Sequence, residues 1–209
     1  MASVRLEISG LDQLAKMAES LSPQLLAKAT RAGVTAAAKA VPSTVAKGIS
    51  ERYGLASRRV RQDVRAVRVA PDGQSATVGF SRRPPTLAQY GARPGRRATG
   101  QPGLGRGLGW GKPTKPGKPL TALVLRANGR KPVAAAFLAT GRSGNRLVLR
   151  RGRGGKLEAL HGPSIGSIVA GASAGGPALR AETETVIRAR FIAGFSRALD
   201  SAARGYGKG

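Results

Sequence analysis

Few residues in this chain have the types and spacing to do chemistry. Gly105-Arg106-Gly107-Leu108-Gly109-Trp110-Gly111-Lys112 has the look of a phosphate-binding loop. It fails on spacing. The glycine required five residues before Gly111 is Arg106, and Lys112 is followed by Pro113 instead of Ser or Thr. No helical pattern follows to aim an N-terminus at a phosphate. A nucleophilic triad has one histidine to draw on, His161, with Ser164 and Ser167 nearby. Leu160-His161-Gly162-Pro163 reads as a turn, and no strand–Gly-x-Ser-x-Gly–helix context surrounds it. Glu182 and Glu184 stand two apart on a predicted helix and so face different ways. With no Cys and one His, thiolate zinc sites, Fe–S clusters, disulfides and two-imidazole metal sites are excluded. The expectation is a non-enzyme without cofactor or metal.

What remains is cationic. The 209 residues carry 36 Lys+Arg against 10 Asp+Glu, a formal charge of +26, so the partners should be anionic. The charge is uneven: Ser81 to Lys156 holds no Asp or Glu at all. The candidate contacts are Arg82, Arg83, Arg93, Arg96, Arg97, Arg106, Lys112, Lys115 and Lys118, continued by Arg142, Arg146, Arg150, Arg151 and Arg153. A compact segment of this kind repels itself unless something anionic neutralises it. Arg150-Arg151-Gly152-Arg153-Gly154-Gly155-Lys156 is similar to a short RGG tract. Tyr90 and Trp110 could stack on bases, but two aromatics make no platform. Packing at a strand end is the preferred reading of Tyr90.

The elements that must position these residues follow from periodicity. Val4 to Ser9 alternates as a half-buried strand, and Leu11 to Ser20 is a short amphipathic helix. Ser22-Pro23 opens a long helix running to about Tyr53, with a small-residue stripe of Leu26, Ala29, Gly33, Ala36, Ala37 and Ala40. Pro42 should kink or interrupt it, and Gly54 should end it. Ser57 caps a short helix to Val64. Ala66–Ala70 and Ser75–Phe80 form a hairpin across Pro71-Asp72-Gly73. From Gly91 to Pro119 about half the residues are Gly or Pro, which predicts a long exposed arm without a core. Strands return at Leu120–Arg126, Pro132–Thr140 and Arg146–Arg150, then a short helix at Ile165–Ala170. The last helix, Pro177–Arg204, has Ile187, Phe191, Phe195 and Leu199 as its core face. The predicted fold class is α+β. Long N- and C-terminal helices pack on a mainly antiparallel sheet, in one domain over 1–209 with a Gly/Pro-rich basic insertion at about 91–119. The N-terminus lacks an apolar leader core. The uncharged run Ala159–Leu179 is too rich in Gly and Pro for a membrane span. A soluble protein is expected.

Four blocks in order are similar to the minor tail protein Z family of tail-completion proteins of long-tailed bacteriophages. They are Ala29-Thr30-Arg31-Ala32 leading to Ile49-Ser50-Glu51-Arg52-Tyr53-Gly54-Leu55 and Val60-Arg61; Pro85 to Arg93; Ala136-Phe137-Leu138-Ala139 with Leu147 to Arg151; and Leu157 to Ile165, including Gly162-Pro163-Ser164. The insertion at Gly95–Lys118 is longer than the family pattern, and Tyr90 stands where it has Phe. The resemblance implies a virion protein, made in the host cytoplasm, that completes the head-proximal end of the tail as a homo-oligomeric ring. Its implied partners are the tail terminator, the head–tail connector, and the DNA end or tape-measure protein in the channel, with no membrane. Tyr90, Gly91, Leu108 and Trp110 would then belong to a subunit-interface arm. The alternative is a basic nucleic-acid-binding protein of ribosomal or nucleoid type, although none of the motifs of such folds appears.

Overall fold

The computed structural model describes residues 22–95, 119–141, 144–152 and 155–206, together with the backbone of 2–5. The fold is mixed α+β, with helices and small antiparallel sheets. The chain divides into two compact units. One comprises Met1–Ser50, Ser57–Arg83 and Pro163–Gly209; the other comprises Glu51–Ala56 and Pro84–Gly162.

The first unit holds β1 (Ala2–Arg5), α1 (Pro23–Arg52, its last two residues apart), α2 (Ser57–Gln62), β2 (Val64–Val69) and β3 (Ala76–Phe80). It also holds α3 (Ile165–Val169) and α4 (Gly176–Tyr206). Its sheet has the order β1-β3-β2, both pairs antiparallel. The β2–β3 turn follows from local chemistry. Asp72 Oδ1 accepts from the Gln74 N–H at 2.9 Å, and Gly73 takes φ 72°. Side-chain turn formation and a left-handed glycine are what Asp-Gly supplies there. The expected helix at Leu11–Ser20, and the expected strand beyond Arg5, lie outside the described residues.

Helix α1 continues through Pro42, so of the expected kink or interruption the interruption does not occur. An interior proline removes one hydrogen bond and crowds the preceding turn, at about 3 kcal/mol. The helix on both sides of it is held by a buried face: Ala37, Ala38, Val41, Val45, Ala46 and Ile49. That burial offsets the proline. The buried stripe begins as expected at Ala29, Gly33 and Ala37 but then follows Val41, Val45 and Ile49, leaving Leu26, Ala36 and Ala40 half-buried.

Against α1 lies α4, and the approach is close. A Cβ placed on Gly33 would stand 2.9 Å from the Phe191 ring and 3.0 Å from its carbonyl oxygen. Phe191 and Phe195 are buried, with ring centroids 5.9 Å apart, and Ile187 is buried beside them. Leu199 is half-buried.

The second unit carries two sheets in place of a single one. β4 (Leu120–Ala122) pairs with β5 (Lys131–Val133), while β6 (Ala136–Thr140), β7 (Arg146–Arg151) and β8 (Leu157–Ala159) form the other in that order. The expected continuous strand Pro132–Thr140 is broken by a turn at Ala134-Ala135, with Ala135 at φ 52°. Pro132 has no N–H to share across a second ladder, so β5 is confined to an edge. The segment Pro85–Arg93, with a 3₁₀ turn at Leu87–Tyr90, links the sheets. Leu87 N–H donates to the Leu160 carbonyl at 2.9 Å and Leu123 N–H to the Tyr90 carbonyl at 3.2 Å. Arg93 and Thr121 exchange backbone hydrogen bonds at 2.8 and 3.1 Å.

Candidate polyanion-facing surface

The residues that looked able to do covalent chemistry hold structure together. Ser164 caps α3: its Oγ accepts from the Ser167 N–H at 3.1 Å and lies 2.8 Å from the Ser167 hydroxyl. His161 is exposed, and its backbone bridges to Thr86. Glu184 pairs with Arg180 at 2.9 Å along α4. Among the described residues no group of three or more His, Cys, Asp or Glu could hold a metal ion. No helix among them is long and apolar enough to cross a membrane.

Some residues of the sequence blocks lie in the core of the second unit, while others, Phe137 and Leu157 among them, are exposed. Tyr53, Leu55, Tyr90 and Val148 are buried. Gly162 lies against the Tyr90 ring, where an added Cβ would stand 2.3 Å from Cε2. Its N–H donates to the Pro85 carbonyl at 2.9 Å. Arg52 ends α1, and its carbonyl accepts from the Arg126 N–H at 2.8 Å. Arg126 Nε donates to the Tyr53 carbonyl at 3.2 Å. Burial raises the Tyr53 phenol above its ordinary pKa, because the phenolate loses hydration; Arg52 opposes this more weakly.

This corrects one candidate contact. Tyr90 has no exposed surface and cannot serve an interface arm or stack on a base. Gly91 is exposed and takes φ 64°, closing the 3₁₀ turn. Leu108 and Trp110 lie outside the described residues, as does most of the expected arm.

The cations divide in the same way. Arg96, Arg97, Arg106, Lys112, Lys115, Lys118, Arg142 and Arg153 lie outside the described residues. Arg82 and Arg83 follow β3 in the first unit, exposed, with the Arg83 N–H on Ser81 Oγ at 3.2 Å. Arg93, Arg146, Arg150 and Arg151 are exposed on the second. The period of two along β7 separates the last two. Arg150 stands opposite Glu158 in register and binds its Oε2 at 3.2 Å; Arg151 points to the other face, opposite Leu157. Arg82, Arg83, Arg93, Arg146 and Arg151 have no carboxylate partner among the described residues.

Attention to the acid-free window 81–156 passes over a second set of cations. Lys28, Arg31, Lys39 and Lys47 are exposed along α1, and Arg58, Arg61, Arg65 and Arg68 are exposed on α2 and β2. The signal was available: no acid occurs between Glu19 and Glu51, and the first four cations spread over about 160° of the helix surface. Comparison with protein-family models, with curated proteins and with solved structures finds no match to this chain.

Proposed function

We propose that the chain is a structural subunit of the neck of a long-tailed phage particle. It would complete the head-proximal end of the tail and line part of the path of the DNA end. The observation that carries this reading is the use to which the sequence blocks are put. Tyr53 and Leu55 of the first block and Pro85, Leu87 and Tyr90 of the second are buried, and Gly162 of the fourth lies against the Tyr90 ring, while the chemistry left on the surface is mainly cationic. Core residues that resemble blocks of a family of assembly proteins, beneath a surface with a surplus of positive charge, suit a subunit that works by contact. In this reading the two long helices and their sheets are the body, and the Gly91–Pro119 segment reaches a neighbouring subunit of a homo-oligomeric ring.

The exposed cations Lys28, Arg31, Lys39 and Lys47 of α1, with no acid between them, favour a second reading, a sequence-independent nucleic-acid-binding protein outside any virion. Removing the gene from its source genome separates the two. The neck reading expects DNA-filled heads and tails that fail to join, seen by electron microscopy, with loss of infectious particles. Normal particle yield would overturn it.

A further inference from the structure

Among the described residues, the three-stranded sheet of the second unit has one face turned inward and one left open. Register assigns the faces. Val148 is fully buried, and it shares its face with Leu138, Arg150 and Glu158. The opposite face is set by the pairs Phe137↔Leu149, Ala139↔Leu147, Leu149↔Ala159 and Arg151↔Leu157. Except for Arg151 it is apolar, although an open antiparallel face ordinarily alternates to polar residues. Phe137 is 40% exposed and Leu157 54%. These are two of the four large apolar side chains with most exposure among the described residues, and they stand on the two outer strands of one sheet. Leu147 and Leu149 lie half-buried on the strand between.

We propose that this face docks another protein, through a surface with an apolar centre and an acidic rim. Charge decides the rim. Arg151 lies on the face itself, opposite Leu157 in register, whereas Lys156, one residue before Leu157, alternates to the other side with Glu158. The one acid of the sheet, Glu158, points to the opposite face and is held by Arg150. The charge that the register puts on the open face is therefore positive, Arg151, and a complementary partner is negative there. A second copy of this chain would bring together two chains of +26 each, so self-docking is disfavoured. Single-stranded nucleic acid needs flat rings on which bases stack, and this face has one, Phe137, among leucines and alanines. Aliphatic centres ringed by charge are the composition of protein interfaces. The inference concerns the sheet face and stands whether or not the chain is a neck protein.

The test uses the full chain, isotope-labelled for amide NMR. The probe is a synthetic amphipathic helical peptide, leucine on one face and glutamate on the other. Controls are the same peptide with lysine for glutamate, a single-stranded DNA 12-mer, and anionic phospholipid vesicles. The glutamate peptide should shift Phe137, Leu147, Leu149 and Leu157, and the lysine peptide should not. Its affinity should fall about tenfold or more in the double variant Phe137→Ser/Leu157→Ser, and separately in Arg151→Glu. Failure of the glutamate peptide to bind, undiminished binding in the variants, or equal binding of the lysine peptide would overturn the proposal. Stronger engagement of the face by DNA or vesicles, or self-association abolished by the double change, would overturn it equally. The changed side chains are exposed, so circular dichroism should be unaltered. If the double variant does not fold, Arg151→Glu alone decides.

Discussion

Gly194 of α4 rests on Gly33 of α1, so closely that a Cβ on Gly194 would stand 3.1 Å from the Gly33 Cα. That Cβ would also stand 2.8 Å from the Ala36 Cβ and 3.1 Å from the Ala32 carbonyl. Backbone and Cβ atoms cannot swing aside, so the helices themselves must separate. Gly194→Ala is expected to destabilise the first unit by about 1–3 kcal/mol, as overpacking does. Phe191→Ala at the same crossing should cost roughly 3–5 kcal/mol by leaving a cavity. Urea unfolding monitored by circular dichroism reads both. Wild-type midpoints would show that the two helices do not pack in this way.

The second unit has its own crowded glycine. At Gly162 any side chain enters the Tyr90 ring, which is fully buried. Gly162→Ala should lower stability by about 1–3 kcal/mol or more. Hydrogen exchange should report the loss around Leu87–Tyr90 and β7, with the amides of α1 and α4 less affected. A uniform loss over the chain would show that the two units do not open separately.

Stability should fall in alkali in part through Tyr53. Its folded pKa is raised above the ordinary value near 10.0, chiefly by burial. The neutral phenol is the form the fold favours. The contribution is complete below the unfolded pKa, and it is lost as pH rises through the folded one, because the unfolded state releases its proton first. Stability measured from pH 8 to 11 should therefore decline less steeply in Tyr53→Phe than in wild type. The slope, not the baseline, is the readout, since the substitution also removes a hydroxyl. Identical slopes would reject the assignment.

The two adjacent arginines of β7 should behave differently toward duplex DNA. Arg151 has no carboxylate partner among the described residues, whereas Arg150 is engaged by Glu158. Each phosphate contact contributes about −0.9 to the slope of log K against log salt. If this surface meets DNA, Arg151→Ala should reduce the magnitude of that slope by roughly 0.9. Arg150→Ala should reduce it less, and Glu158→Gln should strengthen binding. Filter binding from low to high salt measures all three. A salt-insensitive interaction, or none, would remove DNA from the partners of this surface.

What the sequence determined by itself is local. Asp72-Gly73 specified the β2–β3 turn, Ser164 the start of α3, and the run Ile187, Phe191, Phe195 the buried face of α4, because hydrogen bonds and periodicities within a few residues decide such features. It also determined the surplus of positive charge, which is a matter of counting. Tertiary structure decided the rest. Pro42 stays inside α1 because distant partners bury the helix on either side of it. The strands split into separate sheets where the chain turns at Ala135, although the residues there carry no turn signal. Strand β8 was invisible in the pattern, because its three exposed residues gain their hydrogen bonds from β7 and not from their own preference. Tyr90 could have been an exposed contact or a core residue on sequence grounds. Gly162, 72 positions along the chain, leaves the space that makes it core. Whether Arg150 is spent on Glu158 and Arg151 faces outward likewise depends on the register of two strands, and register is set by the packing of one face against the rest of the fold.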